Sequence, residues 1–179
     1  MRAIEIKASY AAAALAELKQ WLAITTTGED ALLASLIDSA VAMCRRFTGI
    51  LPLRATVVED IAADGLWAEL GGRPFAAWHE AAITDPPAPR RVLEPECYVL
   101  EPRADGSARL RIAGAMGVPM AEIVYEAGLA GDWSALDPGL RHGIVRYAAE
   151  LYRQRERGET DHPPAAVSAL WRPWREVRL

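Results

Sequence analysis

Few side chains in this 179-residue chain have the types and spacing that chemistry demands. The three histidines, His79, His142 and His162, fall on a strand, a helix and a hinge in the reading below. None has a second His, Cys or carboxylate at metal-ligand spacing. His79 and Glu80 are consecutive in a strand and project to opposite faces, so they cannot share a site. Cys44 and Cys97 are far apart and form no CxxC pair, which predicts reduced thiols in place of a disulfide framework or zinc knuckle. Gly71-Gly72 is too short for a phosphate loop, and neither GxxxxGK[ST] nor a GxSxG elbow occurs. No catalytic residue, cofactor or metal is expected, and an enzyme is unsupported.

Recognition chemistry is better represented. Leu170-Trp171-Arg172-Pro173-Trp174-Arg175-Glu176-Val177-Arg178-Leu179 packs two Trp and three Arg into ten positions. These are the residue types of interface hot spots, each able to contribute upwards of about 2 kcal/mol. Pro173 blocks a continuous helix and biases Arg172 toward extended backbone. Val177 and Leu179 then alternate with Glu176 and Arg178, as an added strand or groove-bound peptide would. The alternative is that the indoles fold back onto the chain's own domain. Trp21, Trp67, Trp78 and Trp133 read as core or subunit-contact residues.

Composition narrows the classes further. The chain is 51% hydrophobic and 25% charged, which suits one globular domain with an appendage. The Ala-rich run Tyr10 to Ala16 soon meets Glu17 and Lys19, so no membrane span is expected. No basic start with an apolar stretch and small-residue cleavage site opens the sequence, so no secretory signal is expected. Among the 20 basic residues only Lys7 and Lys19 are lysines, which leaves guanidinium groups to dominate the basic surface. A net charge of −4 argues against a general nucleic-acid binder. A helix-turn-helix reader is disfavoured too, because Glu29, Asp30 and Asp38 would repel phosphate.

The elements that must hold these residues follow from periodicity. Helices are predicted over residues 9–24, 28–48 and 137–157. The first carries Leu15, Leu18 and Leu22 and is capped by Ser9. The second runs from the cap Thr27 to the left-handed stop Gly49, with a stripe of Leu32, Leu33, Leu36, Ile37, Ala40, Cys44 and Phe47. The third starts at Asp137-Pro138 and buries Leu140, Ile144, Ala148 and Leu151. Between them, residues 52–131 lose the helical period and show β-like runs at 55–61, 66–70, 75–83, 97–101, 108–112 and 122–127. Asp105-Gly106 marks a turn between two of them. The expected fold is α+β: a helical bundle, made of an αα-hairpin plus a long third helix, with an inserted small antiparallel β-sheet and an extended C-terminal arm. The expected division is a domain over residues 1–158 and a hinge and arm over 159–179.

Four segments in this order resemble the head–tail connector, or neck adaptor, proteins of long-tailed bacteriophages and phage-derived gene transfer agents. They are the opening hairpin Leu15 to Leu22 and Glu29 to Gly49, the strand and turn Ile123 to Leu129, the helix Leu140 to Glu156, and the ending Ala169 to Arg175. The ending looks closest to the gene-transfer-agent branch. The resemblance implies a structural subunit of a ring of about twelve copies beneath the portal. That ring would extend the DNA channel and join the head to the stopper or tail. It implies that the C-terminal arm, residues 170–175 with Val177, Arg178 and Leu179, docks on the portal. A stopper or tail-completion protein would contact the other face, and DNA would pass through the lumen without sequence recognition. The subunit would assemble in the host cytoplasm and end in the particle neck. Another neck component, a stopper or tail-completion protein, is the nearest alternative.

Overall fold

The computed structural model describes residues 2–5, 11–85, 87, 89–113, 119–154 and 162–175. In chain order the elements are β1 (Arg2–Glu5), α1 (Ala11–Leu22), α2 (Asp30–Thr48), β2 (Ala55–Ala62), β3 (Ala68–Glu69), β4 (Phe75–Ile83) and β5 (Arg91–Val92). They continue with β6 (Tyr98–Pro102), β7 (Ala108–Ile112), β8 (Met120–Ala127), α3 (Pro138–Gln154) and α4 (Ala165–Trp171). The chain packs as two compact units. One comprises residues 1–7 and 54–129, the other residues 8–53 and 130–179.

This corrects the expected fold class. The mixture of helix and strand is present, but it is not a helical bundle with a small sheet inserted. The described residues form four α-helices and two antiparallel sheets, one of five strands ordered β1-β2-β8-β4-β5 and one of three ordered β3-β7-β6. The third helix is not the long one either, at 17 residues against 19 for α2. The physical reason is that the strands bury a core of their own. Val57, Ile61, Ala81, Leu110, Ile112, Ile123 and Tyr125 are all at most 5% exposed within that unit. Sheets that share such a core make an independent layer, not a decoration on helices.

In the sheet unit, alternation in the sequence places the strands to within a few residues. Strand β8 runs centrally, paired with β2 from Ala55↔Ala127 to Ala62↔Met120 and with β4 on its other side. Two register shifts in β4, at Phe75/Ala77 and Trp78/Glu80, bend that strand. The turn at Asp105-Gly106 joins β6 to β7. Gly106 takes φ 78°, and the Asp105 carboxylate accepts from Ser107 N (2.9 Å) and Ser107 Oγ (2.6 Å). Those bonds hold the Asp105 carboxyl below the usual carboxylate range.

Among the described residues two polar side chains are buried in this unit, Ser107 in the β6–β7 turn and Glu59. Glu59 is 1% exposed on the inward face of β2. Its carboxyl group accepts from Gly71 N (3.0 Å) and from Tyr125 Oη (3.0 Å), while Tyr125 Oη accepts from Gly72 N (2.7 Å). A Cβ at Gly72 would lie 2.8 Å from that phenol oxygen, so only glycine lets the backbone come this close. The Gly71-Gly72 pair therefore seats a buried carboxyl.

In the helical unit, α1 ends where Ala23 turns to φ 57° and Ile24 N donates to Lys19 O (2.9 Å), short of the expected Ile24. Residue Ser9, the expected cap, lies outside the described residues. Helix α2 takes Glu29, not Thr27, at its N-cap position and stops at Gly49 with φ 82°. Asp137 caps α3 through Oδ1, which accepts from Gly139 N (2.8 Å) and Leu140 N (3.3 Å). The core of this unit holds Leu18, Leu33, Ile37, Ala40, Cys44, Leu140, Ile144 and Ala148. Leu32 is a correction: it is 39% exposed, because the straight stripe Leu33-Ile37-Ala40-Cys44 turns it to the flank. Leu15, Leu22, Leu36, Phe47 and Leu151 are half-buried at the edges of the same core.

Candidate functional site

The segment richest in recognition chemistry is ordered by its own sequence. Pro163 and Pro164 cannot extend a preceding helix, and Pro164 O then accepts from Val167 N and Ser168 N (both 2.9 Å) to open α4. Ala165 to Trp171 are mostly good helix formers, and Val167 and Trp171, four apart, fall on one face. Both are buried, at 2% and 0% exposed.

Trp171 occupies a slot cut for it. Its indole Nε1 donates to Leu140 O (3.3 Å) in the first turn of α3. The ring lies edge-on to Tyr147, with centroids 6.1 Å apart, and tilted on Phe47 at 6.0 Å. Gly143 forms the floor, where a Cβ would stand 2.2 Å from the indole nitrogen. A mid-helix glycine costs roughly 1 kcal/mol against alanine, so Gly143 on the apolar stripe of α3, one position before Ile144, was the legible sign of a close neighbour.

The expectation that the arm becomes extended around Pro173 is therefore corrected over Arg172–Trp174. Pro173 does not push Arg172 out of helical backbone. Arg172 keeps φ −54° and ψ −41°, and Arg172–Trp174 form one 3₁₀ turn with proline near its start, where its missing N–H is tolerated. Extended backbone begins at Arg175, with ψ 118°. The turn divides the residues. Trp171 is inside, Leu170 and Trp174 are half-buried, and Arg172, Pro173 and Arg175 are exposed. Arg175 also lies over the Phe47 ring at 5.4 Å. Val177, Arg178 and Leu179 lie outside the described residues.

Beside α4 runs a groove of about 110 Å³, lined by Trp21, Arg146, Glu150, Arg153, Pro164 and Val167 among others. Trp21 is 45% exposed there and meets His142 edge-on at 5.1 Å. Polar ties brace the helices: Trp133 Nε1 donates to Glu17 (2.7 Å), Tyr152 Oη donates to Glu29 (2.6 Å), and Lys19 pairs with Asp30 (2.6 Å).

The candidates for chemistry are scattered. His79 reaches Glu126 at 3.4 Å on a half-exposed strand face, and His142 serves as a ring contact for Trp21. Among the described residues no group of three or more His, Cys, Asp or Glu could hold a metal ion. No described helix is long and apolar enough to cross a membrane. Cys44 is fully buried, and burial pushes its thiol up to about 12 against a weaker opposing bond from Thr48. At pH 8 the folded thiol then carries about a thousandfold less thiolate than the unfolded one. Cys44 is expected to resist a thiol reagent until the protein unfolds, which a quenched labelling series would show. The proton linkage has a definite sign. Above about pH 9 the unfolded thiol ionises while the folded one does not, so the unfolded state binds fewer protons and stability falls as pH climbs toward 12.

No family model and no curated protein matches the chain. Solved structures do. Over 100% of this chain and 97% of the other, it superposes with a TM-score of 0.76 at 25% identity on a chain from the neck of an empty gene transfer agent particle, computed with C6 symmetry. A chain in the virion of a native gene transfer agent particle gives 0.74 at 25% identity, covering 98% and 96%. One in the neck of the native particle, computed with C12 symmetry, gives 0.72 at 25% identity, covering 99% and 97%. Along essentially its whole length, then, the chain shares the fold of proteins found in the necks of gene transfer agent particles.

Proposed function

We propose that the chain is a structural subunit of the neck of a phage-like particle, and within it the head–tail connector, or adaptor. Copies form a ring of about twelve beneath the portal, lengthen the DNA channel and join the head to the stopper or tail. The observation that supports this reading is the full-length likeness to chains from gene transfer agent necks determined with cyclic symmetry. The role needs no chemistry of its own. A chain with net charge −4 also suits a conduit along which phosphates slide instead of sticking.

The portal contact is assigned to the C-terminal segment, residues 159–179, with a division of labour inside it. Trp171 anchors the segment on its own unit, and Arg172, Pro173, Trp174 and Arg175 with residues 177–179 face the portal. No single segment need bind tightly, because a ring makes successive contacts effectively intramolecular. The test spares the anchor: Arg172→Glu, Trp174→Ala and Arg175→Glu combined, with Trp171 intact. Heads without tails are expected to accumulate, with a tenfold or greater drop in complete particles counted by electron microscopy. Normal joining by a correctly folded variant would refute the portal assignment. Finding the subunit at the far end of the neck would favour a stopper or tail-completion protein.

A further inference from the structure

The three-stranded sheet turns one face outward, and that face has an unusual make-up. In β7, Ala108, Leu110 and Ile112 are buried, so Arg109 and Arg111 point the other way. The register Val99↔Arg111 and Glu101↔Arg109 brings β6 to the same face, and Glu69↔Arg109 brings β3. Trp67, just before β3, extends that row beside Arg111. Its ring is 37% exposed and stacks with Arg109 at 4.2 Å and Arg111 at 5.1 Å. Leu66 at 69% and Val99 at 47% exposed flank it, and a cleft of about 280 Å³ opens alongside, lined by Glu96, Tyr98, Val99 and Arg111 among others.

Two of the three arginines on this face are already paired. Arg109 pairs with Glu101 (2.8 Å) and Arg103 with Glu69 (3.0 Å). Arg111 pairs with no carboxylate among the described residues and rests only on the Trp67 ring. An exposed Trp–Leu–Val patch with one guanidinium left over is built for an apolar partner surface that brings a carboxylate. The two stacked arginines hold the indole in place, so little side-chain freedom is lost on docking. A nucleic-acid platform would not interleave Glu69 and Glu101 among its arginines.

We infer that this face is the contact between neighbouring copies of the chain in its ring, an inference that rests on the ring reading above. A closed ring needs a heterologous interface, in which one patch meets a different patch on the next copy. The sheet face supplies the basic, aromatic half. The other half is a patch elsewhere on the next copy that brings a carboxylate to Arg111, and with 24 acidic against 20 basic residues the chain carries carboxylates in excess.

Photocrosslinking in assembled particles tests it. A photoreactive benzoylphenylalanine is placed at Trp67 in one variant and at Val99 in a second, which leaves the stacked ring intact. A crosslinked dimer whose joined peptides both come from this chain, in two different segments, is the expected result. Crosslinks to another neck protein, to DNA, or to nothing in both variants would overturn the inference. Arg111→Glu should lower the yield of complete necks at least tenfold, and an unchanged yield would count equally against it. Cryo-electron microscopy of unmodified necks separates the two readings: absence of a ring of this chain sinks the ring itself, whereas a ring that leaves Trp67 facing solvent sinks only this assignment.

Discussion

Trp171→Ala is expected to destabilise the helical unit by about 3–5 kcal/mol, the range for deleting a large aromatic from a fully buried site. The loss combines apolar transfer with a cavity that the surrounding backbone cannot close. Phe47 and Tyr147 lean on the indole from α2 and α3, and Leu140 O loses the indole donor. Urea unfolding followed by far-ultraviolet circular dichroism measures it, and a change under about 1 kcal/mol would show that the indole is not part of the core. The sharper test is a cycle with Gly143→Ala. With Trp171 present, the added methyl meets the ring at 2.2 Å and must expel it, so the substitution destabilises strongly. With Trp171 already alanine, the same substitution should stabilise by up to about 1 kcal/mol through helix propensity. That reversal of sign is expected only if the slot and the ring belong to each other.

Glu59→Ala is expected to cost the sheet unit about 3 kcal/mol. Removing the carboxyl group takes the acceptor from the half-buried Gly71 N–H and from the O–H of the buried Tyr125, and hydrogen bonds left unmade away from water carry a desolvation penalty. Tyr125→Phe, which releases the Gly72 N–H, should cost about 1–2 kcal/mol. The double variant should cost less than the two added together, because both act on one network. Hydrogen exchange offers a local readout. The amides of Gly71 and Gly72 are hydrogen-bonded in the folded protein; Gly71 should lose protection in Glu59→Ala and Gly72 in Tyr125→Phe, while the β2–β8 ladder keeps its own. Unchanged protection at those two amides would remove the network from the account.

These two sites also show where sequence and structure part. Gly143 and the Gly71-Gly72 pair are visible in the sequence as places where a helix or strand is weakened. What fills the space above each is not visible, because the partners come from Trp171 and Tyr125, far along the chain. The Trp/Arg segment at 170–175 stands out from composition alone. Its division into a buried anchor and exposed arginines does not, because a helix of about two turns gains its stability from the slot it enters and little from propensity. The short strand β5 and the N-terminal strand β1 escaped for the same reason: two to four residues carry too little period to read, and the sheet edge they complete decides them.

By itself, the sequence determined the local quantities. The periods of α1, α2, α3 and the longer strands are written in nearest neighbours, as are the Asp137 cap, the Gly49 stop and the Asp105-Gly106 turn. The shortage of metal-ligand and nucleophile spacing is written there too. Tertiary structure alone decided how much the strands weigh in the fold, which of Leu32 and Leu33 faces inward, and that Trp171 belongs to the chain's own core. It also decided that Trp67, Arg109 and Arg111 share one exposed face. The physical reason is common to all of these: burial and stacking are set by atoms distant in sequence, and no local pattern fixes which distant surface an apolar or aromatic side chain will meet.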